Sequence, residues 1–296
     1  MVLLGLAKSA KLVKAAGLTG TILGGSELLD WLHKQQLGLN AVAHKAPAGI
    51  DWHELSALAQ LANMTSKSPE TLFSWSVINT YCKGSEIVTR DLDGLKQRYF
   101  VHRGEKGGEK VQTLAIRGTV NKTNWASNLD LKKIWDIETK CYLHAGFKRV
   151  ADAVLEDVEE GKLLQRDEPI LLVGHSLGGS VAAALAIKLQ NRGYTVRKCV
   201  TFGAARITDD QGAKLHSSVP LLRVTHEHDA VPVLPRGSYQ HFGEHLVLLQ
   251  RGLYHEPQST PSSKFEALGT RLHPVHKWKH RMHHYEEEIA QRAREL

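Results

Sequence analysis

The residues most able to do chemistry lie in one short stretch, Gly174–Gly178, which reads Gly-His-Ser-Leu-Gly. The apolar run Ile170–Val173 before it predicts a strand buried on both faces, and the Ala- and Leu-rich run Val181–Leu189 after it predicts a helix. A serine between glycines at a strand-to-helix turn is exposed as a nucleophile, because glycine lets neighbouring backbone approach without a Cβ clash. Ser176 is therefore the predicted nucleophile, and the N–H groups that open the helix would face developing negative charge.

A serine hydroxyl is a weak nucleophile, so a general base and a carboxylate that orients this base must accompany it. In a sheet of this kind the chain order is serine, acid, histidine. Asp229 follows the apolar run Leu221–Thr225, where the acid of such a sheet is placed, and Glu227 is its competitor. The Val-Pro after Asp229 favours the aspartate.

The elements that must position these groups alternate between strands and helices. His53–Asn63 and Phe147–Val158 have apolar residues at helical spacing. Strands are predicted at Tyr99–Val101, Gln112–Arg117, Lys198–Phe202, Leu221–Thr225 and His245–Leu249, with a Gly-rich turn at Arg103–Lys110. This alternation predicts an α/β fold with a mainly parallel sheet that carries helices on both faces.

Composition narrows the functional class. The 296 residues contain 38 Lys and Arg against 31 Asp and Glu, a formal charge of +7, but no long basic block, so nucleic acid binding is not indicated. The three cysteines, Cys82, Cys141 and Cys199, form no disulfide framework and favour a reducing, intracellular compartment. We expect the Cys199 thiol to be buried.

The first 50 residues differ from the rest, with five lysines and two acidic residues. Lys8, Lys11 and Lys14 are three apart, so a helix would place them near one face. Their closeness argues against a membrane span. Residues 1–25 are therefore predicted either to lie on a membrane as a basic amphipathic helix or to form a packed helix or disordered leader.

Several blocks, in order along the chain, resemble the class 3 lipase family, the fungal-type triacylglycerol lipases and their relatives. The blocks are Thr113–Thr119 with Asn124 and Trp125, His144–Phe147, Gly174–Gly179, Thr201–Arg206 and Asp229–Pro232. A looser likeness covers Tyr239, His241, Gly243 and Glu244, where one residue is missing before the glutamate. The resemblance runs from Gln112 to Tyr285. It implies that the protein has an α/β-hydrolase fold and hydrolyses lipid esters.

The resemblance also implies roles for particular residues. Ser176 would be the nucleophile and Asp229 the acid. Thr119 would donate its N–H and its hydroxyl to the oxyanion, and Leu177 would donate a second N–H.

A lid follows this strand in relatives, whereas Val120–Trp125 is short and polar here, which argues against strong interfacial activation. Trp125 and Trp135 are predicted to line an acyl or membrane face, or else to lie in the core.

Five histidines crowd the C-terminal stretch: His273, His276, His280, His283 and His284. The resemblance places the general base in a His-x-Met-x-x-Tyr pattern before a helix, and His280, Met282 and Tyr285 fit this pattern. His280 is therefore the implied base. His283 and His284 are the next candidates, and His241 is expected to be structural. No metal site is predicted, because no cysteine is near and carboxylates begin only at Glu286.

These observations predict an N-terminal helical extension at residues 1–50 and an α/β-hydrolase domain at residues 51–296. The expected function is hydrolysis of lipid esters through a Ser–Asp–His triad, as in triacylglycerol lipases, with a phospholipase or monoacylglycerol lipase as the alternative. A non-catalytic membrane adaptor is a further alternative, and the intact Ser, Asp and His set argues against it. The expected partner is a lipid ester, with neither cofactor nor nucleic acid.

Overall fold

The computed structural model describes residues 50–66, 83–118, 132–226, 229–248, 254–258 and 280–294. All of them belong to the second of two compact units, Ala41–Leu296. The predicted N-terminal extension and the boundary at residue 50 lie outside the described residues, so both stay predictions.

The described part of the chain is built on an eight-stranded sheet in the order β1-β2-β3-β6-β7-β8-β9-β10, with a separate two-stranded sheet, β4-β5. The strands are β1 (Lys83–Leu92), β2 (Gln97–Lys106), β3 (Glu109–Ile116), β4 (Lys133–Asp136), β5 (Cys141–His144), β6 (Ile170–His175), β7 (Val196–Phe202), β8 (Leu221–His226), β9 (Glu244–Leu248) and β10 (Tyr254–Gln258). The helices are α1 (Trp52–Met64), α2 (Ala145–Glu160), α3 (Leu177–Asn191), α4 (Asp210–Leu215) and α5 (Met282–Arg294).

The five central strands, β3, β6, β7, β8 and β9, are mutually parallel, and the pairs at both edges are antiparallel. The apolar run Ile170–Val173 of β6 is buried throughout, and so is all of β8 with its polar Arg223 and Thr225, as strands covered on both faces require. The mainly parallel α/β sheet predicted from the sequence is confirmed. Because parallel strands share a direction, the segments that follow β3, β6, β7 and β8 emerge at one edge.

Helices cover both faces of the sheet. On one face α2 buries the six apolar residues that its sequence spacing selects, and α3 is buried along almost its whole length. On the other face α1 and α5 pack together, with Trp52, Tyr285 and Ile289 in a second apolar core. Glu54 of α1 fixes that helix to the sheet through Lys106 and Lys198, each 2.7 Å away.

The turn between β2 and β3 is shorter than the sequence prediction of Arg103–Lys110. The strands continue to Lys106 and resume at Glu109, leaving only Gly107 and Gly108, both with positive φ. Two glycines satisfy a two-residue hairpin turn, so the flanking charged residues can pair across the strands.

Sequence periodicity did not predict β4, β5 or α4. Each is only four to six residues long, too short for a periodic pattern. Contacts to distant segments hold the hairpin of β4 and β5: the N–H of His144 donates to the carbonyl of Ile207 at 2.8 Å, and Leu143 bridges to Thr208. In the described parts of the chain, no helix is long and apolar enough to cross a membrane.

Candidate active site

Ser176 lies at the turn between β6 and α3, as the sequence predicts. Its φ of 58° and ψ of −129° are unusual for a residue with a side chain, and this strain persists because the surrounding packing imposes it. A Cβ on Gly174 would come within 2.4 Å of the Gly178 carbonyl oxygen, and a Cβ on Gly178 would come within 2.3 Å of the Ile116 carbonyl oxygen. Both glycines are needed because backbone passes where a side chain would be.

The end of β3 reaches the same point from the neighbouring strand. A Cβ on Gly118 would lie 2.8 Å from the His175 carbonyl oxygen and 3.5 Å from the Ser176 Cβ. Thr119, the next residue, lies outside the described residues, and its role as an oxyanion donor stays a prediction. Leu177 is the first residue of α3, so its N–H belongs to the helix-opening groups that have no acceptor within the helix.

Three side chains meet at this edge of the sheet in a hydrogen-bonded series. His280 Nε2 is 2.8 Å from Ser176 Oγ, and His280 Nδ1 is 2.8 Å from Asp229 Oδ2. A carboxylate only accepts, so Nδ1 carries the proton and Nε2 presents its lone pair to the serine hydroxyl. This tautomer is the one in which the imidazole can take the proton of Ser176.

Asp229 is buried and held by several donors. Its Oδ2 also accepts the hydroxyl of Tyr285 at 2.6 Å, and its Oδ1 accepts the N–H of Val231 at 2.8 Å. Burial alone would raise the pKa of Asp229, but the charge and hydrogen bond of His280, with these two donors, hold the pKa below its ordinary value. The carboxylate is therefore ionised, as a partner that stabilises an imidazolium must be.

The sequence reasoning gave no role to three residues that hold this array in place. Tyr285 is fully buried, and the burial and the neighbouring carboxylate raise its pKa well above the usual value, so it stays a hydroxyl donor. His175 Nε2 donates to the carbonyl of His280 at 2.7 Å. Gly203 has a φ of 58°, and a Cβ there would be 2.6 Å from Asp229 Oδ2. The glycine after the apolar strand β7 was the available sequence signal.

Other candidates occupy different places. His241 is buried, donates to the carbonyl of Pro232 at 2.7 Å and supports the loop after Asp229. Burial, with nearby positive charge, lowers its pKa well below the ordinary value. The rings of His283 and His284 in α5 contact each other at a tilt, with centroids 3.9 Å apart. Outside the described residues lie Glu227, Trp125, His273, His276 and the predicted short lid, Val120–Trp125.

The described residues contain no group of three or more His, Cys, Asp or Glu side chains that could hold a metal ion. Cys141 and Cys199 are buried free thiols, and burial raises the pKa of both. Neither thiol belongs to the Ser176 array.

The described strands and helices form an α/β-hydrolase fold, and the Ser176–His280–Asp229 array lies at the carboxyl edge of its parallel strands. The structure resembles a lipase from Rhizopus microsporus var. chinensis, with a TM-score of 0.62, 19% identity and coverage of 77% of this chain and 85% of the other. It also resembles Lip2 lipase from Yarrowia lipolytica, with a TM-score of 0.58, 19% identity and coverage of 77% and 90%. These likenesses establish the fold.

Residues 113–238 match the family described as Lipase (class 3). The resemblance seen in the sequence blocks is therefore confirmed over this range.

Two curated relatives show how much of the chain is shared. The secreted mono- and diacylglycerol lipase 1 of Fusarium solani is 30% identical over 160 residues, which cover 52% of this chain and 48% of the relative. The phospholipase A1-II 3 of Oryza sativa subsp. japonica is 26% identical over 212 residues, which cover 57% and 50%. The chain thus spans about half the length of these curated relatives.

Proposed function

We propose that this protein hydrolyses carboxylic esters of lipids through an acyl-enzyme on Ser176. The observation that carries the proposal is the continuous hydrogen-bonded series from Ser176 Oγ through His280 to Asp229, with two contacts of 2.8 Å. It provides a nucleophile, a base in the required tautomer and an ionised carboxylate.

In the proposed mechanism, Ser176 Oγ attacks the ester carbonyl carbon while His280 Nε2 takes the hydroxyl proton. The negative charge passes to the carbonyl oxygen, which accepts hydrogen bonds from the N–H of Leu177 and from Thr119. The tetrahedral intermediate collapses, and His280 returns the proton to the departing alcohol. Asp229 stabilises the imidazolium during this step.

Deacylation repeats these steps with water. His280 takes a proton from a water molecule, whose oxygen attacks the acyl carbon. The bond to Ser176 Oγ then breaks, the fatty acid leaves, and the serine regains its proton from His280. No cofactor takes part in either half-reaction.

The proposed substrates are glycerolipid esters. The match of residues 113–238 to the class 3 lipase family supports this proposal, as do the relatives named mono- and diacylglycerol lipase and phospholipase A1. Triacylglycerol lipase activity is the first candidate. The match to a phospholipase A1 over 212 residues favours phospholipid hydrolysis as the second. Rates on mono-, di- and triacylglycerol emulsions and on phosphatidylcholine vesicles distinguish them.

The test of the chemistry is Ser176→Ala assayed on a chain-length series of soluble esters. We expect a fall in kcat of at least about a thousandfold with unchanged circular dichroism, because the covalent route is lost. Ser217→Ala is the matched control, since this exposed hydroxyl donates to the Lys214 carbonyl at 2.9 Å and is not part of the Ser176 array. Wild-type turnover by folded Ser176→Ala would overturn the proposal.

The oxyanion role has its own test. Thr119→Val should lower kcat by a smaller factor than Ser176→Ala, because only the side-chain donor disappears and the backbone N–H remains. An unchanged kcat would remove the Thr119 hydroxyl from the mechanism.

Residues 1–25 are proposed to bind anionic membranes weakly and reversibly. The spacing of Lys8, Lys11 and Lys14 supports this proposal. Deleting the segment should reduce sedimentation with liposomes at low salt and spare hydrolysis of a soluble short-chain ester. Loss of both would assign the segment to the folded domain instead.

A further inference from the structure

The exposed apolar residues of the described chain are concentrated in one place. Its five exposed large hydrophobic side chains are Ile134, Trp135, Ile137, Tyr142 and Leu215. The first four lie on the hairpin of β4 and β5. Ile134 shares a strand face with the buried Asp136, so Trp135, Ile137 and Tyr142 are called the hairpin patch below. Single exposed apolar residues are common on protein surfaces, but a contiguous group on one short element indicates an interaction site.

The patch has a defined geometry. Trp135 and Tyr142 are direct cross-strand partners, and their rings meet edge to face with centroids 5.3 Å apart. They are 46% and 43% exposed, and Ile137 in the turn is 86% exposed. The two rings therefore stand on the outer side of the hairpin, with the isoleucine at its tip.

The opposite side of the hairpin is firmly anchored. The carboxylate of Asp136 is buried, 2.7 Å from Lys188 Nζ and 3.1 Å from Lys148 Nζ, and it accepts the N–H of Thr139 at 2.8 Å. A hairpin fixed by buried ion pairs presents its outer residues on rigid backbone. The exposure of Trp135 and Ile137 is thus a property of a well-packed element.

The exposed charged side chains around the hairpin patch are mainly positive. Lys132 and Lys140 are exposed at the two ends of the hairpin, and Lys133 Nζ lies 4.8 Å above the Tyr239 ring. The acidic residues of the hairpin face inward instead: Glu138 bonds to Arg192 Nε at 2.6 Å, and Asp136 bonds to Lys188. Positive charge therefore borders the apolar patch, and the negative charge beside it is neutralised within the protein.

We propose that the hairpin patch binds the surface of an anionic phospholipid bilayer. Tryptophan and tyrosine favour the membrane interface, where an apolar ring body and a polar tip are both accommodated. Lysines beside them are attracted to anionic headgroups. The choice of a lipid partner rests on the proposed function.

The two ends of the hairpin adjoin different parts of the fold. His144, at its base, donates its N–H to the carbonyl of Ile207 in the segment after β7. Its turn lies at the C-terminal end of α3, where Glu138 pairs with Lys188 and Arg192, away from Ser176 at the N-terminal end. Binding at the patch and turnover at Ser176 are therefore measured as separate properties.

The test measures co-sedimentation of the full chain carrying Ser176→Ala, so that binding is read without hydrolysis. Vesicles of phosphatidylcholine with one-quarter phosphatidylserine are compared with pure phosphatidylcholine. Trp135→Ser with Ile137→Ser should weaken binding to the anionic vesicles by at least about tenfold, since both apolar side chains leave the interface. Ile137→Ser alone should act in the same direction and, being a turn substitution, should leave the thermal midpoint unchanged.

The electrostatic part has a matched pair. Lys140→Asn should weaken binding to anionic vesicles about fivefold at low salt, with a smaller effect at high salt. Asparagine accepts the positive φ of this position. Lys110→Asn, which removes an exposed lysine at the start of β3, should leave binding unchanged.

Equal sedimentation of wild type and Trp135→Ser with Ile137→Ser would overturn the proposal. So would a dimer in analytical ultracentrifugation that these substitutions convert to a monomer, because a second copy would then be the occupant. Hydrolysis of a soluble ester by the chain with Ser176 intact tests the proposed function separately. Its failure alone would leave a lipid-binding protein without the enzyme activity.

Discussion

The two ends of α3 are built on different principles. At the N-terminal end, neighbouring backbone atoms pack directly against Gly174 and Gly178, and Ser176 is held at positive φ. The contacts at this end are therefore made by uncharged backbone. At the C-terminal end, the Lys188 ammonium is 2% exposed and lies 2.7 to 3.1 Å from carboxylate oxygens of Asp136, Glu138 and Asp152.

This difference separates the residues that determine turnover from those that determine stability. The N-terminal end requires local backbone geometry, which a short glycine-rich motif provides. The C-terminal end holds together α2, α3 and the β4–β5 hairpin by buried charge. Because buried ions lose hydration, this network is tolerated only while each charge keeps its partners. Substitutions at the first end should thus change turnover, and those at the second should change stability.

The largest expected effect is that of His280→Gln, at the N-terminal end. We expect kcat to fall by about ten-thousandfold with little change in unfolding temperature, because the proton acceptor of Ser176 is removed. His283→Gln and His284→Gln are matched controls in the following helix and should retain turnover. Near-normal turnover of folded His280→Gln would assign the base elsewhere.

Lys188→Met should show the opposite pattern. We expect a loss of about 3 kcal/mol in the free energy of unfolding in urea, since Asp136 and its neighbours become buried carboxylates short of a counter-charge. Residual folded protein should retain kcat on a soluble ester. Lys214→Met, which breaks an exposed pair with Asp210, should cost less than about 0.5 kcal/mol. A similar loss in both variants would contradict the proposed difference.

The same network predicts an acid dependence. Burial would raise the pKa of Asp136, but hydrogen bonds from Lys188, Thr139 and Lys148 lower it below the ordinary value. Its stabilising contribution is therefore present above about pH 4 and lost as the pH falls through the folded-state pKa. The free-energy difference between wild type and Lys188→Met should narrow below about pH 4.

Gly203→Ala tests whether the absence of a side chain at residue 203 is needed to position the Asp229 carboxylate. We expect kcat to fall about a hundredfold, because the new Cβ would displace the Asp229 carboxylate. Gly108→Ala is the control: its φ is 84° but no atom lies within 4 Å of the added Cβ, so it carries the backbone strain alone. Equal activity loss in the two variants would attribute the effect to strain.

The smallest effect should come from His175→Phe, which removes the donor to the His280 carbonyl. A neutral hydrogen bond contributes about 1 kcal/mol, so kcat should fall about fivefold with KM unchanged. His175→Gln keeps an N–H donor and should recover part of that loss. Wild-type kcat in His175→Phe together with a loss in His175→Gln would show that the ring, and not the hydrogen bond, positions His280.

Much of the fold could be predicted from sequence, since its signals are local. The apolar run of β6 and the six buried positions of α2 follow from strand and helix periodicity. The structure extends the predicted helix His53–Asn63 by one residue at each end. At its N-terminal end the Asp51 carboxylate caps the helix by accepting the N–H of Glu54 at 2.9 Å. The resemblance to the class 3 lipase family was likewise detectable from short blocks of sequence, and residues 113–238 match it.

The sequence by itself determined the elbow, because Gly174, Ser176 and Gly178 impose their geometry within five residues. The family resemblance pointed to Asp229 and His280 as the partners of Ser176, but only the tertiary structure shows the contacts that join them and the residues that hold them in place. His280 lies 104 residues from Ser176, and Gly203 and Tyr285 show their relation to Asp229 only once β7 and α5 are packed. The exposure of Trp135 was open for the same reason: a four-residue strand has too few positions for periodicity to assign its faces, and the buried contacts of Asp136 assign them instead.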